Sequence, residues 1–135
     1  EAMMKDVHKL DYDTVVAPEA RGFLIGIVIA YLSGVPFIPF RKPGKLPCEV
    51  LRAVYDSEYS NDCLECDAEA IKKGSKVLIV DDLLATGGTV EAIMKLVENR
   101  GAKVAGFEFL VELTDLNARK RLKGDPIGSV VRYDI

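Results

Sequence analysis

No excess of basic charge runs through this sequence: 18 Lys and Arg stand against 21 Asp and Glu, a formal net charge of −3 over 135 residues. A dedicated nucleic-acid binder draws its affinity from clustered cations that neutralise phosphates, so that class is disfavoured. Long hydrophobic runs are missing too. The longest, Gly22 to Pro36, is interrupted by Gly26, Tyr31, Ser33 and Gly34 and falls short of the roughly 18 to 20 apolar residues of a membrane span. The opening residues, Glu1 to His8, are too polar for the apolar region of a signal peptide. Cysteine occurs three times, a number that cannot close entirely into internal bridges, and without an export signal the chain reads as reduced and cytoplasmic. Cys63 and Cys66 have the spacing of half a structural zinc site, yet only Cys48 and the single histidine, His8, remain to complete four ligands. In an extended segment, positions i and i+3 also face opposite ways. Free thiols are therefore expected, and His8 is expected on the surface. Internal repeats and low-complexity tracts are absent.

What is present is ordinary globular composition, 49% hydrophobic and 29% charged, at a length that folds around one core. The expectation is a single domain over residues 1–135. Four continuous apolar runs, Thr14 to Ala17, Pro36 to Phe40, Lys76 to Asp81 and Val104 to Glu112, read as strands covered on both faces. Between them, Gly22 to Ser33 is closed by Gly34, and Thr89 to Arg100 carries Val90, Ile93, Met94 and Val97 at helical spacing before Gly101. Alternating strand and helix predicts an α/β fold: an open, mostly parallel twisted sheet with helices on both faces. Residues 43–66 break the rhythm. Val50 to Tyr55 and Leu64 to Asp67 flank a polar tip, Asp56 to Asp62, and predict a flexible two-stranded excursion able to fold over a site. Tyr12, Tyr31 and Phe37 read as core or interface positions.

The most informative stretch runs from Val77 to Thr89: an apolar strand, Asp81 and Asp82, a Gly87-Gly88 turn between Thr86 and Thr89, then a helix. In open α/β sheets ligands sit at the carboxyl ends of strands, where the next helix presents free N–H groups and its dipole to an anion. Both glycines are expected to allow close approach and positive φ, and the two threonine hydroxyls can bond phosphate oxygens. Asp81 and Asp82 would repel a bare phosphate, so they should face sugar hydroxyls or a divalent cation. Walker A and dinucleotide fingerprints are both missing. A phosphate carried on a sugar is the ligand this pattern suits.

The whole run resembles the signature of type I phosphoribosyltransferases. Glu19-Ala-Arg-Gly-Phe23, Arg41-Lys-Pro-Gly-Lys-Leu-Pro47, Glu58-Tyr59, Asp81 to Thr89 and Val111-Glu-Leu-Thr114 stand in the order and spacing of the adenine phosphoribosyltransferases within that family. The resemblance implies transfer of phosphoribose from phosphoribosyl pyrophosphate to adenine, giving AMP and pyrophosphate, with Mg2+ and as a homodimer. It implies that Ala85, Thr86, Gly87, Gly88 and Thr89 hold the 5′-phosphate and Asp81 and Asp82 the ribose hydroxyls, with no certain protein ligand for magnesium beyond a position near those two aspartates. Glu19, Ala20 and Arg21 look like the family's pyrophosphate loop, in which a cis peptide is usual and would fall at Glu19–Ala20. Arg21 suits bidentate grip of a leaving pyrophosphate, and Arg41, Lys42 and Lys45 form a basic cluster suited to a polyanion. Glu58 resembles the acid/base at the purine, and Tyr59 a residue that closes the loop.

Two departures fall in the loop: Ser60 stands where glycine is usual, and Cys66 where a polar residue is more common. Family members carry an N-terminal hood over the adenine upstream of the first strand, whereas this sequence enters in the helix before that strand, so a fragment or a short form is expected. Two rival functions share the fold: transfer to guanine, hypoxanthine or xanthine, and a non-catalytic regulator sensing phosphoribosyl pyrophosphate. The Glu-Ala-Arg-Gly-Phe and Arg-Lys-x-Gly-Lys-Leu-Pro motifs favour adenine, and no basic face or DNA-binding extension supports the regulator.

Overall fold

The structure is a computed structural model and describes residues 1–56, 61–122 and 125–134. Its centre is a five-stranded sheet in the order β2-β1-β5-β6-β7, built from β1 (Thr14–Pro18), β2 (Phe37–Phe40), β5 (Lys76–Leu84), β6 (Lys103–Leu113) and β7 (Ile127–Tyr133). Every neighbouring pair is parallel, as the continuous apolar runs predict. β1 is buried along its whole length, and Val77 to Val80 of β5 likewise. The helices α1 (Ala2–Val7) and α2 (Arg21–Ser33) pack with one face of the sheet through Val7, Val15, Ala17, Ile29, Leu78 and Val80. Helix α3 (Gly88–Asn99) covers the other face with Ile93, Val97, Phe107 and Phe109. No helix among the described residues is long and apolar enough to cross a membrane.

The sheet holds one strand more than the four apolar runs predict. β7 is half-buried at first and exposed from Val130 onward, so as an edge strand it lacks the continuous apolar run that betrays a central one. β5 also continues three residues past the expected end, carrying Asp81 and Asp82 inside the strand, with Asp81 opposite Phe109.

The predicted excursion is a hairpin of β3 (Val50–Asp56) and β4 (Asn61–Asp67), antiparallel from Val50↔Asp67 to Asp56↔Asn61. Alternation along it sends Ala53, Leu64 and Cys66 into the core beside α3. Burial pushes the Cys66 thiol up to about 12, which makes it inert. All three cysteines are free, and no cluster of three metal-ligating side chains occurs among the described residues. His8 is exposed, Tyr12 half-buried with its hydroxyl on Ser33, and Phe37 stacked edge-on against Phe23. Tyr31 is not a core residue: it is 83% exposed, in an apolar stripe of α2 with Leu24, Ile27, Val28 and Leu32.

Candidate functional site

Among the described residues, the predicted Glu19 to Arg21, Arg41, Lys42, Lys45, Asp81, Asp82 and Ala85 to Thr89 lie at the carboxyl ends of β1, β2 and β5. After β5, the chain turns at Gly87, whose φ of 86° lies in the left-handed region that favours glycine. A Cβ there would also stand 3.1 Å from that of Ala118. Gly88 is not a second positive-φ residue, as the sequence suggested, but the first residue of α3. No side chain caps that helix, so its first N–H groups open into a cleft of about 80 Å³ lined by Asp81 and by Leu83 through Val90. An uncapped helix start with its dipole directed at a small polar cleft is suited to an anion. Ala85, Thr86, Gly87, Gly88 and Thr89 all line it.

The two aspartates divide their roles. Asp82 accepts from Nε of Arg21 at 2.8 Å. Asp81 is largely covered, and its Oδ1 accepts the backbone N–H of Asp82 at 2.8 Å. Burial first, then neighbouring Asp82, push the Asp81 carboxyl well above its usual range, with Arg21 offsetting part of that rise. One carboxyl able to donate beside one that accepts is a suitable pair for sugar hydroxyls. Arg21 is the first residue of α2 and follows the Glu19–Ala20 peptide, which is cis as the resemblance implied.

Glu19 lies among the cations of the basic loop. Its Oε1 accepts the Lys42 backbone N–H at 2.7 Å, its Oε2 accepts Lys45 Nζ at 3.1 Å, and Arg41 Nε stands 3.5 Å away. Burial raises its pKa, but the Lys42 N–H, Lys45 and Arg41 outweigh burial and hold the carboxyl below its ordinary value. Arg41, Lys42, Lys45 and Glu19 therefore form one cluster. Glu58 and Tyr59 lie outside the described residues.

Three supporting residues are given no role by the sequence, although Glu112 falls within the motif Val111-Glu-Leu-Thr114. Glu65, buried on β4, accepts the Gly44 N–H at 3.0 Å and Arg52 Nε at 2.7 Å, and its backbone exchanges two hydrogen bonds with Arg41. It fastens the basic loop to the hairpin. Glu112, 4% exposed at the end of β6, accepts Nε and Nη2 of Arg119 at 2.8 Å each and the Ser129 hydroxyl at 2.6 Å. Arg119 belongs to the 3-10 turn Ala118–Leu122, so this pairing sets Ala118 against Gly87. Arg121 of that turn has Nη1 3.5 Å from where a Cβ on Gly88 would sit and 3.7 Å from Glu91, at the rim of the anion cleft. The available signal for Glu65 and Glu112 was an acidic residue inside a strand segment; Arg121, in a 3-10 turn, carried none.

A model of the phosphoribosyl transferase domain matches residues 2–133. The chain belongs to the phosphoribosyltransferase family. Within the family it is 57% identical over 123 residues to the adenine phosphoribosyltransferase of Clostridium perfringens strain SM101, covering 91% of this chain and 72% of that protein. The crystal structure of adenine phosphoribosyltransferase from Thermoanaerobacter pseudethanolicus superposes with a TM-score of 0.91 at 50% identity, over 96% of this chain and 75% of that one. The Saccharomyces cerevisiae enzyme, complexed with an imino-altritol bisphosphate and adenine, superposes with a TM-score of 0.85 at 40% identity, over 95% and 72%. The family's fold, a parallel sheet with a separate small hairpin, is the fold of this chain.

Proposed function

We propose that this chain transfers phosphoribose from phosphoribosyl pyrophosphate to adenine, releasing AMP and pyrophosphate. The observation that carries the proposal is the uncapped start of α3 opening into the cleft beside Asp81, with Asp82 held by Arg21. Family membership and similarity to enzymes named for adenine support the base; nothing favours a sensing regulator or another purine.

In this reading the 5′-phosphate sits on the N–H groups of Gly88 and its neighbours and on the hydroxyls of Thr86 and Thr89. The ribose hydroxyls meet Asp81 and Asp82. As the bond from the anomeric carbon to pyrophosphate lengthens, positive charge gathers on the ribose and negative charge on the leaving group. Arg21, with Arg41, Lys42 and Lys45, is placed to hold that negative charge. The adenine N9 then bonds to the anomeric carbon and its proton passes to a base, for which the Glu58-Tyr59 motif nominates Glu58. The loop of residues 43–66 closes over the reacting groups and keeps water from the electrophilic ribose.

Magnesium fits as a substrate-borne ion. Mg2+ usually keeps its waters and binds through one or two carboxylates plus substrate phosphates, and Asp81 and Asp82 supply such a pair, with no third ligating side chain grouped with them among the described residues. Its contribution when bound is to neutralise charge on the pyrophosphate. The exposed apolar stripe of α2 supports a homodimer, since patches of this kind on soluble domains mark interaction sites. Free thiols suit the cytoplasm.

The test is AMP formation from adenine, phosphoribosyl pyrophosphate and Mg2+, with guanine and hypoxanthine in parallel. Turnover restricted to adenine is expected, and preferential use of another base would overturn the assignment. Glu58→Gln should lower kcat by about 100-fold, the scale of general-base catalysis, with little change in KM for phosphoribosyl pyrophosphate. Unchanged turnover would remove Glu58 from the reaction.

A further inference from the structure

Glu108 has no part in the chemistry above, yet it is 1% exposed in the middle of β6. Its strand neighbours in register, Val80 on β5 and Gly128 on β7, bring no charge to it. One carboxyl oxygen, Oε1, is buried with no hydrogen-bond partner among the described residues. A buried acceptor left unmatched is costly and calls for a donor. The other oxygen lies over Gly128, where an added Cβ would come within 2.2 Å of Glu108 Oε2 and 3.2 Å of Asp6 Oδ2. The two carboxyls therefore share a space that exists because residue 128 has no side chain.

That space opens into a cleft of about 280 Å³ between α1, β6 and β7, bordered by Asp6, Lys9, Leu10, Pro126 and Ile127. It shares no lining residue with the cleft at the start of α3. The charged group acting on Glu108 is Asp6 of α1, and Lys9, just after that helix, borders the same cleft. We propose that this cleft binds a small organic ammonium ion, its nitrogen donating to Glu108 Oε1 and Asp6 and its short aliphatic stem lying on Leu10, Pro126 and Ile127.

The wall chemistry selects this ligand class over a metal. A divalent cation held by only two carboxyl groups takes its remaining ligands from substrate phosphates and water, whereas beside Glu108 and Asp6 this cleft presents the apolar walls of Leu10, Pro126 and Ile127. An alkylammonium brings three donors and one charge on a stem that apolar walls accept. Burial, then a hydrogen bond with Asp6 and the charge of Asp6, push the Glu108 carboxyl up to about 8, so near pH 7 the free protein holds a proton between the two carboxyls while Oε1 stays without a donor among the described residues. The entering cation takes the place of that proton, which leaves to solvent.

The experiment is calorimetric titration of the intact protein with butane-1,4-diammonium and with propylammonium at pH 7, in two buffers of different ionisation enthalpy, with amide NMR in parallel. The expected result is saturable binding, release approaching one proton per ligand, and shifts centred on Gly106, Glu108 and Gly128. Glu108→Gln should weaken binding by at least about tenfold, the scale of one charge-assisted contact, and abolish proton release, while the rate of AMP formation stays unchanged. Should that variant fold poorly, Asp6→Asn, at an exposed position on α1, should weaken binding in the same direction. Absence of saturable binding, binding without proton release, undiminished affinity in the folded variants, shifts centred on Gly87 to Val90, or the same Gly128 shifts with magnesium chloride alone would each overturn the proposal.

Discussion

At the scale of single residues, buried carboxylates organise this protein, and they do so through different partners. Glu19 and Glu65 hold the basic loop, Glu112 holds the turn behind the anion cleft, and Asp81 faces the cleft itself. Glu112 makes the most complete set, a two-pronged pairing with Arg119 plus the Ser129 hydroxyl, and Arg119 holds its carboxyl below the ordinary value. Glu112→Gln keeps the shape but removes the charge that both prongs require, and hydrogen bonds to a charged group contribute about 1.5 to 3 kcal/mol. A loss of that size in urea unfolding is expected, together with a raised KM for phosphoribosyl pyrophosphate, because Ala118 no longer buttresses Gly87. These carboxylates are also where the sequence was hardest to read. An acidic residue inside an apolar strand, such as Glu108 or Glu112, shows that something pairs with it but not what, since Arg119, Ser129, Asp6 and Gly128 are brought near only by the finished sheet.

At the scale of elements, the strand-loop-helix from Lys76 to Asn99 decides what the site can hold. Gly87 is its pivot. Gly87→Ala puts a Cβ against Ala118 and into a left-handed conformation that side chains avoid, a strain on the order of 1 kcal/mol or more. Since the displaced atoms are the N–H groups proposed to hold the 5′-phosphate, KM for phosphoribosyl pyrophosphate should rise well beyond what the loss of stability explains, as steady-state kinetics would show. Central elements were legible because their physics is local: the apolar runs of β1, β5 and β6 need both faces covered, and the 3.6-residue spacing of Val90, Ile93, Met94 and Val97 needs a helix. β7 was not legible, because an exposed edge strand carries no run of its own and is defined by pairing with β6. The cis peptide at Glu19–Ala20 was legible through the motif alone, since nothing in those residue types demands it.

At the scale of the whole molecule, two properties follow. The stripe of Leu24, Ile27, Val28, Tyr31 and Leu32 is too apolar for solvent, so Leu24→Asp combined with Tyr31→Asp should convert the proposed dimer to a monomer in analytical ultracentrifugation, and an unchanged sedimentation coefficient would remove this stripe from any interface. The second concerns pH. Glu19, Glu65 and Glu112 have folded pKa values below the ordinary one, so their stabilisation is present above that value and fades as pH falls through the folded ones. Glu108 is opposite: with a folded pKa of about 8, its contribution is complete below the ordinary glutamate value and is lost as pH rises through about 8. Asp81 runs in the same direction. Thermal melts should therefore decline from mildly acidic towards mildly alkaline pH, and Glu108→Gln should flatten part of that decline. The seat of Glu19 among Arg41, Lys42 and Lys45 has one more effect: the ligand-free protein already carries its own counter-anion in the basic loop. In the proposed reaction an arriving pyrophosphate would swap with a resident carboxylate instead of meeting bare cations, so capture of the substrate should be tuned more by fit than by long-range attraction and be less sensitive to ionic strength than three neighbouring cations would suggest.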